Sequence, residues 1–146
     1  MLFRSLYSTP HQIESADHAV QLLLQKDVPA EKLVIGCGFY GRMFRMAAEH
    51  ETGLYQPCEF MYTFRFKDSS DSLAASSGFE KHFDEIAQAP FAINKQRSIL
   101  ASYDDERSVA TKTRYAKEHE LGGVMFWQLC DDKFRNGLLD VIWRNK

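Results

Sequence analysis

The chain has 146 residues, of which 45% are hydrophobic and 26% charged, with a formal net charge of −2 and a pI near 6.2. That length supports one compact domain with its own core, and the composition is that of an ordinary globular protein. Lys and Arg are scattered without a basic run, which argues against a nucleic-acid partner, and the apolar runs are too short to cross a bilayer.

Residues 1–14 read as loop, with Ser8-Thr9-Pro10 as a turn signal. The start, Met1 to Ser8, lacks the apolar core of a signal peptide. Ser15 is placed as an N-cap, and Ala16, Ala19, Val20, Leu23 and Leu24 recur at helical spacing to about Lys26. Residues 28–32 form a short connection. Leu33 to Tyr40 is a continuous apolar run, predicted as a strand buried on both faces. A helix leading into such a strand suggests an α/β protein with parallel strands.

Residues 41–101 differ in character. Aromatics are dense, and Phe60, Tyr62, Phe64 and Phe66 alternate as though sharing one strand face. Residues 67–72 are predicted as a polar loop, 79–88 as a short helix and 99–103 as a strand. The segment reads as a small α+β insertion.

A second helix opens at Asp104-Asp105-Glu106, where acids suit the helix dipole. Its packing stripe is Val109, Lys112, Thr113 and Ala116, the lysine through its alkyl stem, and it runs to about His119. The strand Gly122 to Leu129 follows, its paired glycines allowing close backbone approach. Trp127 near its end has a flat face able to stack on a sugar ring, although core packing is the commoner use of a tryptophan. Residues 136–143 form a turn and the start of a last helix. Helix, strand, insertion, helix, strand, helix is the order expected of two consecutive strand–helix units of a larger barrel.

Cys37, Cys58 and Cys130 show no C-x-x-C spacing, so neither a zinc site nor a disulfide framework is expected. His11, His18, His50, His82 and His119 are dispersed and read as surface or satisfied histidines. No metal and no cofactor are expected.

The run Lys32 to Arg42 resembles the seventh barrel strand of glycoside hydrolase family 18, the chitinase family. Ser102 to Val109, with Lys112, Tyr115 and Ala116, is similar to the lead into its seventh helix. Leu121 to Leu129 resembles its eighth strand, and Gly137-Leu138-Leu139-Asp140 the signature that follows. Leu6-Tyr7 and Ser15 to Lys32 fit the segment before the seventh strand. Residues 41–101 fall where these enzymes carry an α+β insertion, and 87–91 resemble its later part. Cys37-Gly38 depart from the pattern, which often has an aliphatic residue and proline there. Glu120 and Cys130 also depart from it, standing where glycine and a small residue are usual.

The resemblance implies a partial (β/α)8 TIM barrel holding the last two strand–helix units. Residues 1–40 and 102–146 would be barrel, and 41–101 the insertion. It implies hydrolysis of β-1,4-linked N-acetylglucosamine polymers with retention, the substrate's acetamido group acting as nucleophile. The glutamic acid that protonates the leaving oxygen lies in a fourth-strand D-x-x-D-x-D-x-E pattern, which these 146 residues do not contain. Asp68-Ser69-Ser70-Asp71 approaches it, but Leu73 and Ala75 stand where Asp and Glu would be needed.

By resemblance, Trp127 forms the floor under the sugar beside the cleaved bond. Tyr40 and Arg42 can hydrogen-bond sugar oxygens, and Met125 lines the acetamido pocket, although a core role for Met125 and a structural one for Arg42 stay open. Asp104-Asp105-Glu106 is read as helix capping, and Asp131-Asp132 is left without a role. The chain is expected to be the C-terminal part of a longer enzyme, inactive by itself. The partner is then chitin or an N-acetylglucosamine oligosaccharide, with the missing barrel half or self-association covering the unpaired strand edges. A non-catalytic chitooligosaccharide-binding module and a degenerate structural fragment are the alternatives. The family is often secreted.

Overall fold

The computed structural model describes residues 4–47 and 54–146. Met1 to Phe3 and His50, both given readings above, lie outside them. In chain order the elements are α1 (Ala16–Leu24), β1 (Val34–Gly38), β2 (Tyr40–Met46), β3 (Cys58–Arg65), α2 (Ser69–Ser72), β4 (Glu80–Asp84), β5 (Ala89–Asn94), β6 (Ile99–Ser102), α3 (Glu106–Glu118), β7 (Gly123–Trp127) and α4 (Leu138–Asn145).

Two sheets result. β1 and β7 pair in parallel, from Val34 opposite Gly123 to Gly38 opposite Trp127. The other five strands form an antiparallel sheet in the order β3-β2-β6-β5-β4. Ser15 caps α1 as expected, its hydroxyl accepting from the His18 N–H at 3.1 Å. Gly122 explains the glycine pair at the head of β7: a Cβ there would stand 2.3 Å from the Glu31 carbonyl oxygen. Its N–H instead donates to the Leu33 carbonyl at 2.8 Å, which sets the register of the parallel pair.

One face of β1–β7 is packed by the helices. Ile35 joins Leu6, Val20, Leu33 and Tyr115 in one core cluster, and Cys37 joins Phe39, Val109 and Leu138 in the next. The Phe39 and Phe126 rings stack at 4.8 Å. Each such fully buried side chain stabilises the fold by about 1.5–3 kcal/mol. The other face is open: Val34, Met125 and Trp127 are exposed. The run Leu33 to Tyr40 is therefore covered on one face, not both as its composition suggested. β1 and β7 pair only with each other among the described strands, so the second face has nothing to pack against it.

Four further expectations are corrected. Residues 80–84, predicted as helix, form β4, because the Glu80-to-Asp84 stretch pairs with β5 as an edge strand that leaves its polar side chains in water. Residues 66–72, read across 67–72 as loop, wind into a 3-10 turn and α2. Phe60 does not share a face with Tyr62 and Phe64. The register steps from Met43–Tyr62 to Phe44–Phe60, so Met61 is an extra residue in a β-bulge, and a bulge reverses the alternation. Phe60 consequently meets Phe44 edge-on at 6.1 Å, while Met61 and Phe64 pack on the opposite face with Met43 and Leu73. Lys112 buries more than its stem: the whole side chain is 3% exposed, and its ammonium bonds to Asp104.

The N-terminal segment and one side-chain clamp hold the two sheets together. The Leu6 N–H donates to the Ala87 carbonyl at 2.8 Å. Arg107, on α3, donates two hydrogen bonds to Glu85 and lies 3.6 Å over the Phe83 ring.

Candidate functional site

The parallel pairing fixes where the candidate residues stand. β1 and β7 end together, so Trp127 lies opposite Gly38. The Phe39 N–H donates to the Trp127 carbonyl at 2.8 Å, locking the last residue of β7 to the turn from which β2 departs. Side chains alternate along a strand. Phe126 therefore points into the core against Phe39, and Met125 and Trp127 point to the open face. Trp127 is 63% exposed and Met125 53%. The Met125 methyl lies 3.6 Å from where a Gly36 side chain would begin, so the methionine reaches across its partner strand. Met125 is not core, which answers one question left open by the sequence.

Tyr40 and Arg42 occupy the first turn of ladder in β2, on one face, opposite Arg65 and Thr63. Both are half-buried. The Arg42 guanidinium lies 5.9 Å from the Tyr40 ring centre, and a second guanidinium, that of Arg4, lies closer at 4.3 Å. Burial raises the Tyr40 phenol, but the hydrogen bond and charge of Arg4, with those of Arg42, outweigh it and hold the phenol below its ordinary value. Trp127, Tyr40 and Arg42 thus lie at or just beyond the carboxyl ends of the parallel strands, the end at which barrels build their sites, and Met125 stands mid-strand opposite Gly36.

Beneath this rim is a buried polar cluster that the sequence reading did not assemble. The Asp104 carboxylate is fully buried. It accepts from the Gly38 N–H at 3.0 Å, the Ser108 hydroxyl at 2.8 Å and the Lys112 ammonium at 2.6 Å, and Arg4 Nε stands 4.0 Å away. Asp104 therefore ties α3 to the end of β1 and does not cap the helix. Asp105 is the cap, accepting from the Ser108 N–H at 2.8 Å. The sequence signal was available: Ser108 and Lys112 stand four residues apart on one face of α3, and Asp104 lies four residues before Ser108, just ahead of the helix. Cys37 lies beside this cluster. Burial, reinforced by the Asp104 charge, pushes its thiol up to about 12.

The acid pair after β7 has a structural use. Asp132 accepts from the Leu138 and Leu139 N–H groups at 2.8 and 2.9 Å, holding the N-terminus of α4. Asp131 is buried and takes a long hydrogen bond from Gln128 at 3.5 Å. Neither is directed at the Trp127 face by any contact.

The family described as glycosyl hydrolases family 18 matches residues 4–132. Chitinase A1 of Niallia circulans is 36% identical over 118 residues, covering 75% of this chain and 17% of its own length. Among solved structures, a family 18 N-acetylglucosaminidase from Paenibacillus barengoltzii superposes with a TM-score of 0.87 at 35% identity, covering 97% of this chain and 42% of that one. A chitinase-like agglutinin from Robinia pseudoacacia superposes with a TM-score of 0.78 at 27% identity, covering 97% of this chain and 40% of that one. The chain thus spans less than half the length of each of these proteins.

Proposed function

The chain belongs to glycosyl hydrolases family 18, and from that membership we propose that it supplies the sugar-binding side of a chitinase-type cleft without supplying the catalytic acid. In this reading residues 1–40 and 102–146 are the C-terminal part of a (β/α)8 barrel, and 41–101 are its α+β insertion. The substrate is a β-1,4-linked N-acetylglucosamine polymer, cleaved in the complete site by the substrate-assisted retaining route.

The observation that carries this reading is the open face of β1–β7. A tryptophan ring 63% exposed at the end of a parallel strand contributes nothing to the core. A flat apolar face in that position suits the axial C–H face of a pyranose. Tyr40 and Arg42 begin the neighbouring strand, with a phenol and a guanidinium suited to hydroxyl and carbonyl oxygens. Met125, two residues before Trp127 on the same face, gives an apolar wall for an acetamido methyl. No D-x-x-D-x-D-x-E occurs in the 146 residues. Binding without turnover follows. The experiment is a pair of assays on the intact chain: titration with chitotetraose, and incubation with a fluorogenic chitobioside. Binding with no hydrolysis is expected.

One second reading is a binding module that engages chitooligosaccharides and never cleaves them. The likeness to an agglutinin supports it. Mixing the chain with a family 18 barrel half that carries the acid separates the two readings: restored hydrolysis supports the first, and unchanged binding without hydrolysis the second.

A further inference from the structure

We propose that Arg4 is a positioning residue for Tyr40, seated by the absence of a side chain at Gly38 and anchored by Asp104. The proposal rests on the reading of Tyr40 as a sugar ligand.

Arg4 and Tyr40 come from segments far apart in sequence and meet at the rim of the open face. The Arg4 guanidinium lies 4.3 Å from the Tyr40 ring centre, near enough for a cation–π contact. It also donates to the Tyr40 carbonyl at 3.4 Å, and its positive charge favours the ionised phenol. One planar group thus engages both the backbone and the ring of one residue, which fixes the ring's direction as a single contact would not. Arg4 is itself held: its side chain is 13% exposed, and Nε faces the fully buried Asp104 carboxylate at 4.0 Å.

Gly38 is the seat. Its backbone is not left-handed, so conformation does not call for glycine here. Space does: a Cβ at position 38 would stand 2.4 Å from the guanidinium carbon and both terminal nitrogens of Arg4. Arg4 therefore lies flush on the α-carbon of the residue paired with Trp127. A lysine at position 4 would bring the charge without the plane or the forked donors.

The test is a double-mutant cycle read by chitotetraose titration, using Arg4→Ala, Tyr40→Phe and the two together. Gly38→Ala is a second route that unseats the guanidinium while leaving its charge. Arg4→Ala and Gly38→Ala are each expected to weaken binding about tenfold, with Arg4→Lys failing to restore it. On the Tyr40→Phe background, Arg4→Ala should add less than about a twofold further loss. Losses that multiply in the double variant would overturn the proposal, as would wild-type affinity in both Arg4→Ala and Gly38→Ala. If the intact chain binds no sugar, the functional reading fails and the positioning is read separately. Ultraviolet difference titration against Tyr40→Phe isolates the Tyr40 phenol, whose midpoint should rise in Arg4→Ala. An unmoved midpoint would overturn it.

Discussion

The Lys112 ammonium and the Asp104 carboxylate meet at 2.6 Å with neither side chain more than 3% exposed. Their partners are unequal. Asp104 also accepts from Gly38 and Ser108 and has Arg4 nearby, whereas the only partner described for the Lys112 ammonium is Asp104. Removing the acid strands a buried cation, which costs about 3–5 kcal/mol. Asp104→Asn should therefore lose that much stability in urea denaturation, and Lys112→Met about 2 kcal/mol or less, since the aspartate keeps its other donors. Equal losses, or the reverse order, would contradict this account of the cluster.

Asp132 offers a smaller version of the same logic. It accepts from two N–H groups at the start of α4, and its carboxylate fills the space where a Gly137 side chain would begin. Asp132→Ala should cost about 1–2 kcal/mol, as loss of a helix cap does, with exchange protection falling first at Leu138 and Leu139. Chitooligosaccharide affinity should change less than with Trp127→Ala.

Thiol chemistry should distinguish the three cysteines. Cys37 is buried with its thiol raised to about 12, Cys58 is half-buried and Cys130 is exposed. The thiolate is the reactive form. At pH 8, iodoacetamide should label Cys130 fastest and Cys37 only after denaturation, as read by peptide mass spectrometry.

Asp105 gives a pH dependence of defined sign. Burial raises its carboxyl above the ordinary value, more than the hydrogen bonds from Ser108 lower it. A carboxyl whose folded value lies above its unfolded value favours the folded state when protonated, and that advantage is lost as pH rises through the folded value. Asp105→Asn keeps an oxygen for the cap and removes the titration. The variant's Tm minus that of the unaltered chain should be more positive at pH 7 than at pH 3.

The barrel parts were legible because their signals are local or repeated. Ser15 with the 3.6-residue spacing behind it, and the acids ahead of Val109, mark α1 and α3 to within two residues at each end. The insertion was legible only in part: its strands near 60–66 and 99–103 were read, whereas β2, β4 and β5 were not. β2 carries two arginines and a glycine, and β5 contains Pro90, which usually argues against a strand. Pro90 is accommodated because it lies beyond the ladder with β6, which starts at Phe91 opposite Ser102. The bulge at Met61 is set by pairing with β2, which a single strand's alternation does not reveal. The four site residues were named from motifs. Arg4 escaped because its partner Tyr40 lies 36 residues away in sequence, and so did the tie from Asp104 to Gly38, 66 residues away, although the Asp104, Ser108 and Lys112 spacing was local.

The proposed function turns on whether the open face carrying Trp127 binds N-acetylglucosamine oligomers. The direct measurement is calorimetric titration of the intact chain and of Trp127→Ala with chitotetraose. A saturable change, lost or weakened at least about tenfold in Trp127→Ala, is expected from removal of a stacked aromatic platform. A saturable change retained at full affinity in Trp127→Ala, or no binding by the intact chain, would contradict it.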